Sequence, residues 1–253
     1  MPAVKLQGKV AIVTGSGQGV GRGIALALAA EGAAVVLMGR TGAKVERVAA
    51  EIADRGGVAL PIEGDVTLPE DIDSALATTI ETFGQLDLLV NNAQHIHRGP
   101  LLETSDRVAQ VSWESGPLAT LRFMRAAHPH LKGGGVIVNL GSRVGVRPDP
   151  MGFGVYAAAK EAIRALSRTA AMEWGADGIR VIVILPFATS PELERMQRED
   201  PEAYARTRDA TALGRVGDPE TDIGRAVAFL AGPDGGYITG TTIALDGGKS
   251  FVR

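Results

Sequence analysis

The chain alternates between short apolar runs and longer segments in which apolar residues recur at helical spacing. VAIV (10–13), VVLM (35–38), LDLLV (86–90), VIVNL (136–140), RVIVIL (180–185) and TIAL (242–245) read as strands. Each is a nearly continuous apolar run, the pattern of parallel strands covered on both faces. Between them, residues 21–31, 42–55, 69–83, 156–174 and 219–231 read as helices. Pro69 and Pro219 are placed for first helical turns, where a missing N–H costs little, and acidic residues follow each. Repeated β-α alternation, with no linker or low-complexity stretch, predicts one α/β domain over 1–253. Its architecture is a doubly wound parallel sheet of about seven strands with helices on both faces, a fold that binds ligands at the carboxyl ends of its strands.

Composition narrows the partners. The 253 residues are 45% hydrophobic, ample for a core, and 33 glycines point to many tight turns. With 26 basic and 29 acidic residues the net charge is −3, which gives no support to a nucleic-acid or anionic-membrane partner. The absence of cysteine excludes disulfides and thiolate metal sites. No stretch approaches the ~18 uninterrupted apolar residues of a membrane span, so a soluble, cytoplasmic protein is expected. His95 and His97 have metal-like spacing, but no third ligand accompanies them and no metal is predicted.

The first strand runs straight into Thr14-Gly15-Ser16-Gly17-Gln18-Gly19-Val20-Gly21, and a helical pattern follows. Glycines there permit a sharp turn and let a diphosphate approach backbone N–H groups at a helix N-terminus, the Rossmann-type arrangement. The strand before, the helix after and a second strand at the right distance make this a dinucleotide site. An acid at the end of that second strand would accept hydrogen bonds from the adenosine ribose hydroxyls. Here Gly39 and Arg40 stand at that point, and the next acid is Glu46. An arginine cannot accept those bonds but pairs with a 2′-phosphate. NADP(H) is therefore favoured, with NAD(H) as the alternative.

Tyr156 and Lys160 are four residues apart in YAAAK, and three alanines between them favour a helix that puts both on one face. At roughly 5 Å and an effective dielectric of about 20, an ammonium stabilises a phenolate by about 3 kcal/mol, or about two pKa units. That shift predicts a phenol moved from about 10 towards neutrality, where general acid/base catalysis works best.

Taken in order, TGSGQGVG at 14–21, Asp65-Val66, Asn91-Asn92-Ala93, Ser142, Tyr156 with Lys160, and Leu245-Asp246-Gly247-Gly248 resemble the classical short-chain dehydrogenases/reductases over almost the whole chain. The resemblance implies that Tyr156 is the acid/base at the substrate oxygen, that Lys160 binds the nicotinamide ribose and depresses the Tyr156 pKa, and that Ser142 holds the reacting oxygen. It implies cofactor contacts for Gly15, Ser16, Gln18, Gly19, Val20, Gly21, Arg40, Asp65, Val66, Asn91 and Ala93. Pro186, with Thr189 or Ser190, all after the sixth strand, is implied near the nicotinamide. A homo-oligomer, tetramer or dimer, is also implied.

The chain departs from the family in three places. Gln94 replaces the glycine that usually follows Asn-Asn-Ala. Many members carry a fourth catalytic residue, an Asn on the helix before the fifth strand, that supports a water-linked proton relay through the lysine. This chain has no Asn between Asn92 and Asn139; Ser112 or Trp113 falls in that region. Third, the usual Pro-Gly after the sixth strand reads Pro186-Phe187. Residues 187–215 are densely charged, the mark of a solvated face, and in the family this position forms a substrate lid. Phe187, Met196 and Tyr204 are its expected inward residues. Gln94, His95, Phe153 and Phe187 are candidate substrate contacts, and Val146 and Met151 are expected to shape the pocket. The predicted activity is an NADP(H)-dependent oxidoreductase interconverting a carbonyl and a secondary alcohol, with a small-molecule substrate. The alternatives are an NAD(H)-dependent alcohol dehydrogenase and a cofactor-binding sensor with little catalysis.

Overall fold

The structure, a computed structural model, describes residues 5–147 and 152–250. Met151 lies outside the described residues. Seven strands form one parallel sheet: β1 (Val10–Thr14), β2 (Ala34–Gly39), β3 (Val58–Glu63), β4 (Leu88–Asn91), β5 (Val136–Leu140), β6 (Arg180–Pro186) and β7 (Thr242–Leu245). They run in the order β3-β2-β1-β4-β5-β6-β7, as the alternating pattern predicts. The order reverses between β1 and β4, so their carboxyl ends open a crevice at the switch point.

Strand side chains alternate between two buried layers. Val13, Val35 and Leu37 face α1 (Gly19–Ala30), α2 (Gly42–Asp54) and α10 (Arg225–Ala231). Ile12, Val36 and Met38 face α3 (Pro69–Phe83), α5 (Ala119–Leu131) and α7 (Gly154–Trp174). Both faces are covered, which is why the strands carry no polar alternation.

Pro69 begins α3 with Glu70 and Asp71 in its first turn, as expected. Pro219 instead opens a π-helical turn, Pro219–Gly224, whose N-terminus is capped by the Asp218 carboxylate accepting from the N–H groups of Glu220 and Thr221. Strand β4 begins two residues later than the apolar run suggests. Asp87, just before it, still pairs with both neighbours, its N–H donating to the Val10 carbonyl and its carbonyl accepting from the Val136 N–H, both at 2.9 Å, while its carboxylate accepts from the Val10 N–H. Strand β3 has no continuous apolar run; it lies at the sheet edge, where Pro61 removes no needed ladder bond.

Two helices also lay hidden between β4 and β5. Helix α4 (Asp106–Trp113) joins α5 through a π-helical turn, Glu114–Leu118, containing Pro117. The proline has no N–H to give, and the widened turn accommodates it without ending the helix. The segment 143–146 forms the single-turn α6 (Arg143–Val146), and α8 (Pro191–Glu199) and α9 (Pro201–Asp209) occupy the charged stretch after β6. Among the described residues, no helix is long and apolar enough to cross a membrane.

Candidate active site

The turn after β1 is held by contacts that leave no room for side chains. Gly15 takes φ +64° and donates to the Met38 carbonyl at 2.8 Å. A Cβ on Gly21 would meet the Gly15 carbonyl and lie 2.5 Å from Asn92 Nδ2. That Asn92 amide donates to the carbonyls of Thr14 at 2.8 Å and Gly15 at 3.1 Å. Thr14 Oγ1 accepts from the N–H groups of Asn92 and Ala93, both at 3.0 Å. Thr14 and Asn92 therefore clamp the glycine turn to the end of β4. Helix α1 starts at Gly19 without a side-chain cap and without an acid in its first turn. Its first N–H groups face a cleft, the arrangement that suits an anion.

That cleft has a volume of about 530 Å³ and runs along the carboxyl ends of β1, β2 and β4. Gly15, Gln18, Gly19, Val20 and Gly21 line one wall, and Asp65, Val66 and Ala93 line another. Ser16 is fully buried beneath the turn. Arg40 is exposed at the tip of β2. Lys44, which the sequence reading passed over, stands near it and donates to Gln18 Oε1 at 2.8 Å. Both cations border the cleft and Glu46 does not. Asp65 Oδ1 accepts from the Thr67 N–H and hydroxyl, both at 2.9 Å, which fixes the carboxylate. Asn91 differs from its expected place on the cleft wall. Its side chain turns into the interior and donates to Asn139 Oδ1 at 2.8 Å; Asn139 in turn donates to Ser167.

Ser142, Tyr156 and Lys160 come together at the ends of β5 and α7. Ser142 sits at the N-terminus of α6, and its hydroxyl hydrogen-bonds the Tyr156 phenol. Tyr156 lies in the first turn of α7 and Lys160 one turn on, with its Nζ 5.5 Å from the centre of the phenol ring. The lysine is 3% exposed and donates to the Leu140 carbonyl at 2.6 Å. The electrostatics differ from the sequence expectation. Burial pushes the Tyr156 phenol up to about 12, and the Ser142 hydrogen bond opposes this only in part. Burial also brings Lys160 down to about 7. With its ammonium disfavoured and bound to a carbonyl, Lys160 does not bring the phenol towards neutrality in this structure.

A sequence profile described as Enoyl-(Acyl carrier protein) reductase matches residues 15–250. The chain is 42% identical to a 12alpha-hydroxysteroid dehydrogenase of a Clostridium species, over 95% of this chain and 96% of that protein. The chain belongs to the classical short-chain dehydrogenases/reductases. A galactitol 2-dehydrogenase (L-tagatose-forming) of Cereibacter sphaeroides is 37% identical over 96% of each chain. Among solved structures, a dehydrogenase/reductase from Sinorhizobium meliloti superposes with a TM-score of 0.92 at 35% identity, covering 98% of both chains. A short chain dehydrogenase from Burkholderia cenocepacia, solved in complex with NADP, gives 0.89 at 33% identity, covering 97% of this chain and 99% of the other.

In this short-chain dehydrogenase/reductase the substrate-side residues are partly engaged. The Phe153 ring stands 6.0 Å from the Tyr156 ring and under the Arg98 guanidinium, 4.4 Å away. His95 is exposed at the cleft mouth and its N–H donates to Ser115 Oγ at 3.2 Å. Phe187 is covered by Lys249, whose Nζ lies 3.7 Å from the ring centre and donates to the Thr207 carbonyl at 2.6 Å. After Pro186, Thr189 pairs with Gly217 through its N–H at 2.9 Å, so the loop follows β6 outward. Ser190 then caps α8, and Ser190 and Pro191 reach the cleft wall opposite Gly19. Met196 and Tyr204 are half-buried, and Val146 is half-buried in α6. Among the described residues no cluster of three metal-ligating side chains occurs.

Proposed function

We propose that the protein is an NADP(H)-dependent oxidoreductase that interconverts a carbonyl and a secondary alcohol. The observation that carries this reading is the Tyr156 phenol hydrogen-bonded to Ser142, with Lys160 one helical turn behind it, beside a cleft built for a dinucleotide. The cofactor fits the residues present. Glycines fill positions where a Cβ would collide with the turn, and an uncapped helix N-terminus faces the space left for a diphosphate. Arg40 just after β2 and Lys44 in the first turn of α2 suit a 2′-phosphate, and among the residues lining the cleft there no acid is placed for free ribose hydroxyls. A nicotinamide bound there supplies or removes the hydride.

The chain's own residues handle the proton. Ser142 orients the substrate oxygen through the hydroxyl that now bonds Tyr156. Tyr156, kept protonated by burial, donates its phenolic proton to the oxygen of a carbonyl being reduced, and takes it back when an alcohol is oxidised. Lys160 stands behind it to return a proton to the phenolate. Residues 187–215, with α8 and α9, form the substrate lid. The lid is tied to the site by the Arg98–Glu192 ion pair at 3.0 Å and by Lys249 over Phe187. We also propose that the protein is a cytoplasmic homo-oligomer, a tetramer or dimer.

The reading is tested with Tyr156→Phe assayed against ketones, keto esters and secondary alcohols with NADPH and NADP⁺. Turnover should fall by at least about a hundredfold while cofactor affinity stays within about twofold. A variant that keeps most of its rate overturns the assignment.

A further inference from the structure

The carboxamide of Gln94 is the most unusual polar group near the site. Both its Nε2 and its Oε1 are buried and have no hydrogen-bond partner among the described residues. The side chain reaches from the end of β4 across the helix break and lies over Gly116, where a Cβ would stand 2.5 Å from Nε2 and 2.9 Å from Cδ. Gly116 is thus a glycine because Gln94 fills the space that any other side chain would take. The amide is held there from the next residue, since the His95 N–H donates to Ser115 Oγ, itself tied to the Val111 carbonyl at 2.8 Å.

A third unpartnered atom belongs to the same neighbourhood. Ser112 is 1% exposed, and its Oγ has no partner among the described residues either. It precedes Gly116 by one helical turn, so both share one face of the helix. The π-helical turn and α4 pack against α7, the helix that carries Tyr156 and Lys160. Burying an amide and a hydroxyl unpaired is costly, and proteins resolve such groups with an internal water making about three hydrogen bonds. Gln94 also lines the cleft, which opens to solvent.

We propose that Gln94 is a positioning residue of the acid–base site: with Ser112 it holds a buried water at the helix break, and that water restores the proton of Lys160. The inference rests on the acid–base reading of Tyr156 and Lys160 given above. In reduction, Tyr156 gives its proton to the substrate oxygen and becomes phenolate. Lys160 returns a proton to it and becomes the neutral amine. The water gives a proton to the amine, and solvent in the cleft neutralises the hydroxide left behind. Oxidation runs the same transfers in reverse. A chain with no Asn from residue 93 to 138 thereby supplies its carboxamide from the β4 side rather than from the helix.

The test uses Gln94→Met, which keeps the shape and removes both hydrogen-bonding atoms, and the double variant Gln94→Gly/Gly116→Asn, which returns a carboxamide from the opposite wall. Melting temperature and cofactor affinity report that each variant is folded and binds. Gln94→Met should lower kcat at least about tenfold, enlarge the solvent isotope effect on kcat, and leave the cofactor Kd within about twofold. The double variant should recover most of the lost kcat. The inference is overturned if Gln94→Met keeps kcat within about twofold of the parent, if its loss of rate is matched by lost cofactor affinity, or if the folded double variant stays as slow as Gln94→Met. An active Tyr156→Phe would remove the acid–base reading itself. An inactive Tyr156→Phe beside an unaffected Gln94→Met would remove only the role of Gln94.

Discussion

Lys160 donates a 2.6 Å hydrogen bond to the Leu140 carbonyl, so the buried ammonium is anchored to the end of β5. One neutral acceptor does not replace the water it has lost, and burial brings the lysine down to about 7 from its usual 10.5. The unfolded chain therefore binds more protons than the folded one between these two values, and stability must rise with pH across that window. The penalty is full below pH 7 and relieved as the pH approaches 10.5, by at most about 1.4 kcal/mol per pH unit. Lys249, buried and lowered to about 8, acts in the same direction. Denaturant melts at pH 6.5, 8 and 9.5 isolate the Lys160 share as the difference between the parent and Lys160→Met. A difference that does not change with pH would remove the claim that burial destabilises the ammonium.

Tyr156 has the opposite sign. Its phenol is pushed up to about 12, so the folded chain holds its proton more tightly between pH 10 and 12 and stability falls over that range. Tyr156→Phe should flatten the alkaline side of the stability curve and leave the curve below pH 9 unchanged in shape. A variant curve that still parallels the parent above pH 10 would show that the phenol titrates normally.

Arg40 and Lys44 both border the cleft where β2 ends, and Lys44 is tied to Gln18 in the glycine turn. Arg40→Asp removes one partner for a 2′-phosphate and adds a repulsive carboxylate. NADPH affinity should fall at least about thirtyfold, and NADH affinity should stay level or improve. Fluorescence titration of the two reduced cofactors reads the ratio directly. An equal loss for both would remove the 2′-phosphate argument.

The elements that were legible in the sequence are those whose signal is local. Strands such as VIVNL at 136–140, the glycine turn and the Tyr156–Lys160 spacing can each be read within a short window. Strand β3 escaped because an edge position lets it carry Pro61 and half-exposed residues. The helices around 106–131 were obscured by Pro117 and Pro129, which helical pattern reading treats as breaks. The direction of the Tyr156 shift was misread for a different reason. Spacing fixes the distance to Lys160, but burial is the largest influence on both groups, and burial depends on the whole fold. Gln94 and Gly116 are 22 positions apart, and nothing in either local sequence announces that one fills the space of the other.

Arg98 links the loop after β4 to α8, part of the proposed lid, by its 3.0 Å pair with Glu192 while its guanidinium covers Phe153. Both partners are about 41% exposed, so the pair adds no more than roughly 1 kcal/mol to stability. Its removal should be felt in lid closure instead. Glu192→Gln should leave the melting temperature within about 2 °C and the cofactor Kd unchanged, and should raise the substrate KM several-fold. An unchanged KM would detach the Arg98–Glu192 contact from the lid.

Two glycine-to-alanine substitutions with opposite expected signs separate the close-packed turn from ordinary helix propensity. Gly175 has φ −58° and nothing within 4 Å of a built Cβ. Alanine fits there without strain and restricts the unfolded chain, so Gly175→Ala should stabilise by about 0.4–1 kcal/mol. At Gly21 the methyl would press on the Gly15 carbonyl and on the Asn92 amide that clamps β1 to β4. Neither neighbour is the free end of a flexible side chain, so the helix must move away from the turn, at a cost of about 1–3 kcal/mol. The same movement withdraws the α1 N-terminus from the cleft. Gly21→Ala should therefore weaken cofactor binding at least about tenfold, while Gly175→Ala leaves it untouched. Thermal melts with and without NADPH distinguish the two effects. A Gly21→Ala protein of parental stability that binds cofactor normally would mean that the turn has slack the packing does not display.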